Sequence, residues 1–389
     1  MMHQIYGNKN MLDIHLFRLR LKHKNEYVLV PYISESLYHY LYQIKNEITK
    51  YNKKWDKFKK FTNVYEYIST LIPEKKYSVC ALKPISRSFY KLIEIVNHFH
   101  LFKAFESRNM TSFHLAEGPG GFIEAMKYMR PMMNDTIYGM TLHSSNDNIP
   151  SWKIIMNSSA NLFHMVEGHD KTGDITKSCN FRYCADTYRN QIDFITGDGG
   201  FDFTIDFNKQ EIMAIPLILS EIFMALAMQS VGGCFVLKIY DIFTKITIEL
   251  LYLLYHYYDV VYIYKPCMSR TANSEKYIIC KNYNKVITDD MITLFENILK
   301  KIEASPDYMI ESILDVELDM MYLNKIQEIN VSLGEQQLEN ISITIHLILN
   351  SKNDKITNLI KNNIESCVDW CGKYKLPIHE NIEYPRVNI

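Results

Sequence analysis

No cysteine pair in this sequence stands at CxxC spacing, and no Cys/His run has the spacing of a zinc site. The eight cysteines, Cys80, Cys179, Cys184, Cys234, Cys267, Cys280, Cys367 and Cys371, are scattered. That argues for reduced thiols in an intracellular protein and gives no metal site. Cys367 and Cys371, four apart in "CVDWC", read as packing residues on one helical face. Net charge is missing as well: 43 Lys and Arg against 44 Asp and Glu leave −1, so a nucleic acid could be held only by a local basic patch. The N-terminal "MMHQIYGNKNMLDIHLFRLRLK" lacks the apolar core of a signal peptide, and nothing reaches about 18 apolar residues in a row. No membrane partner is expected. The most apolar helical stretch, "ITIELLYLLYHYY", is interrupted by Glu249 and His256 and reads as a buried helix. Internal repeats and low-complexity tracts are also lacking.

What is present is a core-forming composition, 47% hydrophobic over 389 residues, arranged in three parts. Residues 1–75 carry helix-period segments and read as an N-terminal helical extension. Between residues 45 and 60 there are seven lysines, interleaved with Trp55 and Phe58. Such a stretch can bind RNA by phosphate contact and base stacking, or it can be a solvated helix face with Trp55, Phe58 and Phe61 turned inward. Residues 76–285 alternate strand and helix. Seven strands are expected at 112–116, 137–142, 162–168, 191–198, 232–240, 260–266 and 276–283, which predicts an α/β fold with a mainly parallel sheet covered on both faces. Pro216 should kink its helix or mark the start of the second half. Beyond residue 285 the strands are expected to stop, leaving 286–389 as a C-terminal helical extension packed on the sheet, with Thr288 capping its first helix.

The stretch "HLAEGPGGFIEAM" (114–126) places a Pro-Gly-Gly turn between the first of these strands and a helix. Either the turn only packs the helix on the sheet, or Gly118, Gly120 and Gly121 let the backbone approach a ligand at the helix N-terminus. A dinucleotide fingerprint would need a third glycine where Ile123 stands, and Glu117 would repel a pyrophosphate. The turn suits a cationic, phosphate-free cofactor better, and S-adenosylmethionine carries an ammonium and a sulfonium. Further along, Asp174 in "TGDITK" and Asp198 in "TGDGGF" fall at strand ends, where ligands collect in open α/β sheets. Asp174 can contact adenine or merely cap a helix. Lys238 in "FVLKIYD" is a lysine in an apolar strand, which requires a partner or a task.

Taken in order, "AEGPGGF", "GMTL..SND", "TGDIT", "GDGGF", "GGCFVLKIYD" and "YKP..SRTANSEKYIICK" resemble the successive motifs of the FtsJ-like (RrmJ-type) RNA ribose 2'-O-methyltransferases over about residues 80–285. Among these the sequence is most similar to the cap-specific mRNA (nucleoside-2'-O-)-methyltransferases, in cellular and large-DNA-virus versions. The resemblance implies a Rossmann-like S-adenosylmethionine-dependent sheet whose last strand is antiparallel. It implies a Lys-Asp-Lys-Glu tetrad at Lys91, Asp198, Lys238 and Glu275, with Lys83 the alternative to Lys91. It also implies a cofactor loop of Ala116, Glu117, Gly118, Pro119, Gly120, Gly121 and Phe122, and adenine contacts at Asp174 and Ile175. Arg87, Arg270 and Asn273 are candidates for substrate RNA, although Arg270 could equally brace its loop. The substrate implied is the capped mRNA 5' end, methylated at the first transcribed nucleotide, with other capping or transcription proteins as further partners. The alternatives are the cap 2 position, rRNA or tRNA, or a non-catalytic RNA-binding protein of this fold. Location follows origin: cytoplasm or virion for a viral enzyme, nucleus for a cellular one. One departure concerns the acid usual at the place of His114, whose role passes to His114 or to Glu117.

The implied chemistry uses no metal. A ribose 2'-OH must be steered or deprotonated as the methyl arrives. The expectation is that Lys238 acts as general base, its ammonium depressed by a dry cleft and by Lys91, with Asp198 and Glu275 orienting the amines.

Overall fold

A computed structural model of the chain describes residues 2–7, 12–143, 152, 162–200, 207–350 and 352–382. In chain order the elements are β1 (Met2–Gln4), β2 (Phe17–His23), α1 (Glu35–Ile48), α2 (Asn52–Phe61), α3 (Ser88–Phe99), β3 (Thr111–Leu115), α4 (Gly121–Met129), β4 (Thr136–Met140), β5 (Leu162–Met165), α5 (Ser178–Tyr188) and β6 (Ile192–Gly197). There follow α6 (Gln210–Met228), β7 (Gln229–Ile239), α7 (Lys245–Tyr257), β8 (Tyr258–Tyr264), β9 (Lys276–Tyr283), α8 (Asp289–Glu303), β10 (Tyr308–Leu314), α9 (Met320–Leu349) and α10 (Asn353–Lys373).

The main sheet has eight strands in the order β1-β8-β9-β7-β6-β3-β4-β5. β3 pairs in parallel with β4 on one side and β6 on the other, so the strand order reverses at β3. That is where a doubly wound sheet opens a crevice beyond its carboxyl ends. β9 is inserted antiparallel between β7 and β8, which agrees with the expected antiparallel last strand. The eighth strand is β1, three residues on the edge of β8; so short a strand has no periodicity to read.

Apolar side chains from both faces of the sheet build two cores. One joins α5, α6, α7 and α8 to Phe113, Leu115, Ile195, Phe235 and Leu237. The other joins α3, α4 and α10 to Phe194, Val236 and Tyr277. With both faces covered, β7 is an unbroken buried apolar run from Cys234 to Leu237 rather than an alternating one. By length and composition α6 could cross a bilayer, but 89% of its apolar stretch is buried inside the protein, so here it is a core helix. It runs unbroken through Pro216. Cys367 and Cys371 are buried in the second core, as packing residues.

The two extensions are not wholly helical. β2 and β10 pair antiparallel in a sheet of their own, with Leu21 opposite Ile310. "FRLRLKH" does alternate apolar and charged residues, but its partner lies far away in sequence and only tertiary contact creates the pair. The reason for β10 lies on α7. Glu249, fully buried, accepts from Ser312 Oγ at 2.8 Å and from the backbone N–H groups of Ile313 and Leu314 at 2.7 and 3.2 Å. The acid that interrupts the apolar helix is thus the anchor of the extra sheet.

Candidate active site at the carboxyl ends of the strands

Strand register builds the site. Leu115 lies opposite Gly197, Gly197 opposite Leu237 and Leu237 opposite Ile278. One step further on, Ala116, Asp198, Lys238 and Tyr277 form the edge of the row. Phe235 and Leu237 face the α5–α8 core and Val236 the α3–α4 core, so alternation turns Lys238 toward α3, which carries Lys91.

The four expected tetrad residues meet there as two ion pairs. Lys238 Nζ donates to the Asp198 carbonyl at 2.6 Å and lies 3.3 Å from Asp198 Oδ1. Lys91 Nζ lies 2.7 Å from Glu275 Oε1. Tyr277 connects the pairs: its hydroxyl donates to Asp198 Oδ1 at 2.7 Å, and Lys91 Nζ stands 5.8 Å from the centre of its ring. Ser269 Oγ donates to the same Glu275 oxygen, Oε1, at 2.8 Å and helps fix the carboxylate. Lys83 is exposed.

Electrostatics correct the expected roles. Burial pulls the Lys238 ammonium down, but Asp198, Tyr240, Glu275 and Glu221 outweigh it, and the net direction is up. Lys238 is therefore held protonated, contrary to the expected depression by Lys91. Burial would push Glu275 up, yet Lys91 and then Lys238 hold it at about 2.

Sequence reading missed Glu221. Its carboxyl, on α6 and 1% exposed, accepts the Gly199 N–H at 3.1 Å. A side chain on Gly199 would begin 2.8 Å from Glu221 Oε1, so the glycine after Asp198 makes room for this acid. Burial pushes Glu221 up to about 8 against the pull of Lys238. The signal was an acid inside "LILSEIFM", the same kind of anomaly that marked Lys238.

The loop after β3 is contorted: Ala116 has φ +50° and Gly120, which precedes α4, has φ +111°. A non-glycine residue in the left-handed region at a strand end points to function. Glu117, 3% exposed, accepts the Phe122 N–H at 2.6 Å through Oε1, while its buried Oε2 has no hydrogen-bond partner among the described residues. Burial, then Asp198, pushes its carboxyl well above the ordinary range. His114 is different. Its Nδ1 pairs with Thr196 Oγ1 at 2.8 Å and its Nε2 with Ser112 Oγ at 3.1 Å, and burial lowers it to about 3. Within the sheet His114 is thus neutral, with both ring nitrogens paired. At Gly121 a side chain would begin 2.1 Å from Ser86 Oγ and Ser88 Oγ, so the lack of one lets α4 pack against the start of α3. Gly118 donates to Thr141 Oγ1 at 3.1 Å.

Asp174 follows β5 and accepts from Thr176 N and Oγ1 at 2.9 and 2.6 Å, while Ile175 is buried in the first core. Arg87 and Arg270 converge on Glu66, fully buried between α2 and α3. Arg270 Nε and Nη2 lie 2.9 and 2.7 Å from its oxygens, and Arg87 Nη1 at 3.2 Å. Burial opposes the charge, but the two guanidiniums hold Glu66 at about 2. Arg270 thus braces the loop that carries Glu275. Asn273 is exposed on that loop, and its carbonyl accepts from Lys265 Nζ at 2.6 Å. The "SND" part of the second motif and Phe201 lie outside the described residues.

The mouse cap-specific mRNA (nucleoside-2'-O-)-methyltransferase 1 is 39% identical over 184 residues, 45% of this chain and 21% of the relative. The Drosophila melanogaster cap-specific mRNA (nucleoside-2'-O-)-methyltransferase 2 is 30% identical over 217 residues, 52% of this chain and 30% of the relative. The chain thus spans under a third of the length of either relative. A crystal structure described as a putative ribosomal RNA methyltransferase from Plasmodium falciparum matches 51% of this chain and 97% of its own, at 21% identity and a TM-score of 0.38, too loosely to argue from. The family described as FtsJ-like methyltransferase matches residues 84–283, just over half of the sequence, and the chain belongs to it.

Proposed function

We propose that the chain methylates the ribose 2'-OH of the first transcribed nucleotide of capped mRNA, converting cap 0 to cap 1, with S-adenosylmethionine as donor. The observation that carries this reading is the pairing of Lys91 with Glu275 and Lys238 with Asp198 across Tyr277, at the point where strand order reverses. The named activity of the mouse relative supports the choice of substrate.

The residues fit the donor. Glu117 Oε2, buried without a partner beside a contorted loop, calls for a hydrogen-bond donor such as an ammonium. Glu117 and the 116–122 loop would hold the amino-acid end, and Asp174 with Ile175 the adenine. When bound, S-adenosylmethionine supplies a methyl group on a sulfonium, which departs as a neutral thioether. Lys238, held protonated, orients the ribose oxygen by donating from Nζ, and Lys91 does so from the opposite side. The hydroxyl proton becomes strongly acidic only as the new C–O bond forms, so a strong base is not needed beforehand. The Asp198–Lys238 pair takes it up. Glu275 stays ionised and keeps Lys91 in place, and most of the rate comes from alignment.

The test is methyl transfer from labelled donor to short RNAs beginning with m7GpppG, GpppG or a plain triphosphate. Label on the first 2'-O only when a cap is present is the expected result. Label on internal riboses, or on the uncapped RNA equally, would replace the cap reading with another RNA.

A further inference from the structure

The seven lysines between residues 45 and 60 do not share one fate. Lys45 is buried against Asp241 at 2.7 Å. Lys50 is taken by Glu47 and Lys59 by Asp56. Lys53, Lys54 and Lys57 are exposed on α2 and make no ion pair among the described residues. The aromatic residues of the same helix play no part on this surface: Trp55, Phe58 and Phe61 are buried with Ile341, Leu347 and Ile348 of α9. Stacking on bases is therefore excluded here, and only the charged face remains available.

That face is attached to the active site. Ala272, three residues before Glu275, packs on the α2–α9 cluster. Glu66, just after α2, clamps Arg270 and Arg87. The charges of Asp56 and Arg270 stabilise each other, and Arg270 is within the field of Glu275. Positive groups therefore run from Lys91 through Arg87 and Arg270 to α2. In a chain of net charge −1, five lysines against one aspartate in the ten residues of α2 is a local excess, and the catalytic loop is fixed to its inner side.

We infer that the exposed lysine face of α2 holds the sugar-phosphate backbone of the substrate RNA beyond the methylated nucleotide, without reading its sequence. This rests on the reading of the chain as an RNA methyltransferase. α2 is about 15 Å long, enough for two or three successive phosphates. Contacts of this kind are purely electrostatic, so they add affinity for longer transcripts and weaken steeply with salt.

The experiment compares the chain with a Lys53→Gln, Lys54→Gln, Lys57→Gln variant, all three positions being exposed, and with a control carrying Lys285→Gln, Lys300→Gln and Lys301→Gln. Binding is measured with 5'-capped RNAs of 3 and 25 nucleotides over a salt series, and kcat and KM are measured on both. The α2 variant is expected to bind the longer RNA about tenfold or more weakly at low salt. The slope of log K against log salt should fall by about 2, from about 0.7 per phosphate contact on single strands. Its kcat, and its affinity for the three-nucleotide RNA, stay at the wild-type values, and the control matches wild type throughout. Unchanged binding of the 25-nucleotide RNA, or equal losses at both lengths, overturns the inference. So does a loss seen only on anionic vesicles, which would make α2 a membrane contact. If the wild-type chain binds long RNA through α2 yet methylates no capped RNA, the inference stands and the cap reading falls.

Discussion

β7 and the residues just after it carry two buried lysine–aspartate pairs, Lys238 with Asp198 and Asp241 with Lys45, and the titratable groups around each are of opposite kinds. Around Lys238 acids are in surplus: Asp198, Glu275 and Glu221 act on it directly, and Glu117 is coupled to both Asp198 and Lys238. On the positive side Lys91 joins Lys238, while Arg87, Arg270 and Lys265 act on Glu275 from further off. Around Asp241 the lysines are in surplus, with Lys265 and Lys276 beside Lys45. Backbone carbonyls absorb that excess: Lys276 donates to Tyr240 O at 2.6 Å, and Lys265 to the carbonyls of Asn273 and Glu275 at 2.6 and 2.8 Å. Burial first, helped by the crowding of like charges, lowers Lys265 to about 7 and Lys276 to about 8. The cavity between them holds about 10 Å³, room for one water at most. A buried ion pair is therefore not in itself a mark of catalysis. What differs is the kind of surplus group: Glu117, held neutral by burial and by Asp198, can ionise against a cationic donor.

The largest effect expected is at the first pair. Lys238→Met should lower single-turnover methyl transfer about 10²- to 10⁴-fold, with donor binding, read by calorimetry, retained. Transfer within tenfold of wild type would remove Lys238 from the reaction. At the second pair, Lys45→Met leaves Asp241 buried without its partner, which costs on the order of 3–5 kcal/mol of stability. A lower Tm with kcat within a few-fold of wild type is the expected outcome. A collapse of kcat at unchanged Tm would erase the distinction between the pairs.

The first pair was legible in the sequence and the second was not, and the reason is the distance over which each is specified. Asp198 and Lys238 each end or interrupt an apolar strand, so their placement follows from strand period and topology alone. Lys45 is the first of seven lysines between residues 45 and 60 that look alike in the sequence, and only the packing of α1 in the fold buries this one against Asp241. β2 and β10 stayed hidden for the same reason, since each is a strand only because of the other and of Glu249. Glu221 was available to the rule that found Lys238. A carboxyl within a helix is simply a weaker anomaly than an ammonium within a strand, because polar residues are expected on helices. In the loop of 114–126 the glycines were read for what their backbone could approach, whereas the space beside Gly121 is filled by Ser86 and Ser88, which lets α3 and α4 meet.

A smaller effect should follow at the loop. Glu117→Gln keeps the acceptor for Phe122 N–H and removes the charge that a bound ammonium would meet. Donor affinity is expected to fall about 10- to 100-fold, the range for one hydrogen bond to a charged group. Stability should hold, because Glu117 is already held neutral before any ligand arrives. Calorimetric titration showing unchanged donor affinity would move the amino-acid end of the donor elsewhere.

The finest distinction concerns Glu221, which accepts the Gly199 N–H next to Asp198, Lys238 and Tyr240. Its carboxyl titrates near 8 in the folded chain against the ordinary 4.3 or so. Between those values the unfolded chain has lost the proton and the folded chain retains it, so this group costs stability progressively as pH rises from about 4.5 to 8. Glu221→Gln preserves the neutral shape and removes the titration. The Tm of that variant should accordingly match wild type near pH 4.5 and exceed it by a growing margin up to pH 8, with kcat little changed at neutral pH. Glu221→Ala removes the acceptor, frees Gly199 and lets Asp198 shift, so kcat should fall about tenfold with KM nearly constant, and Gln at the same position should restore it. A Tm gap between Gln and wild type that does not change with pH would mean that Glu221 is ionised in the fold and paired with Lys238, which would return part of the acid surplus to an ordinary salt bridge.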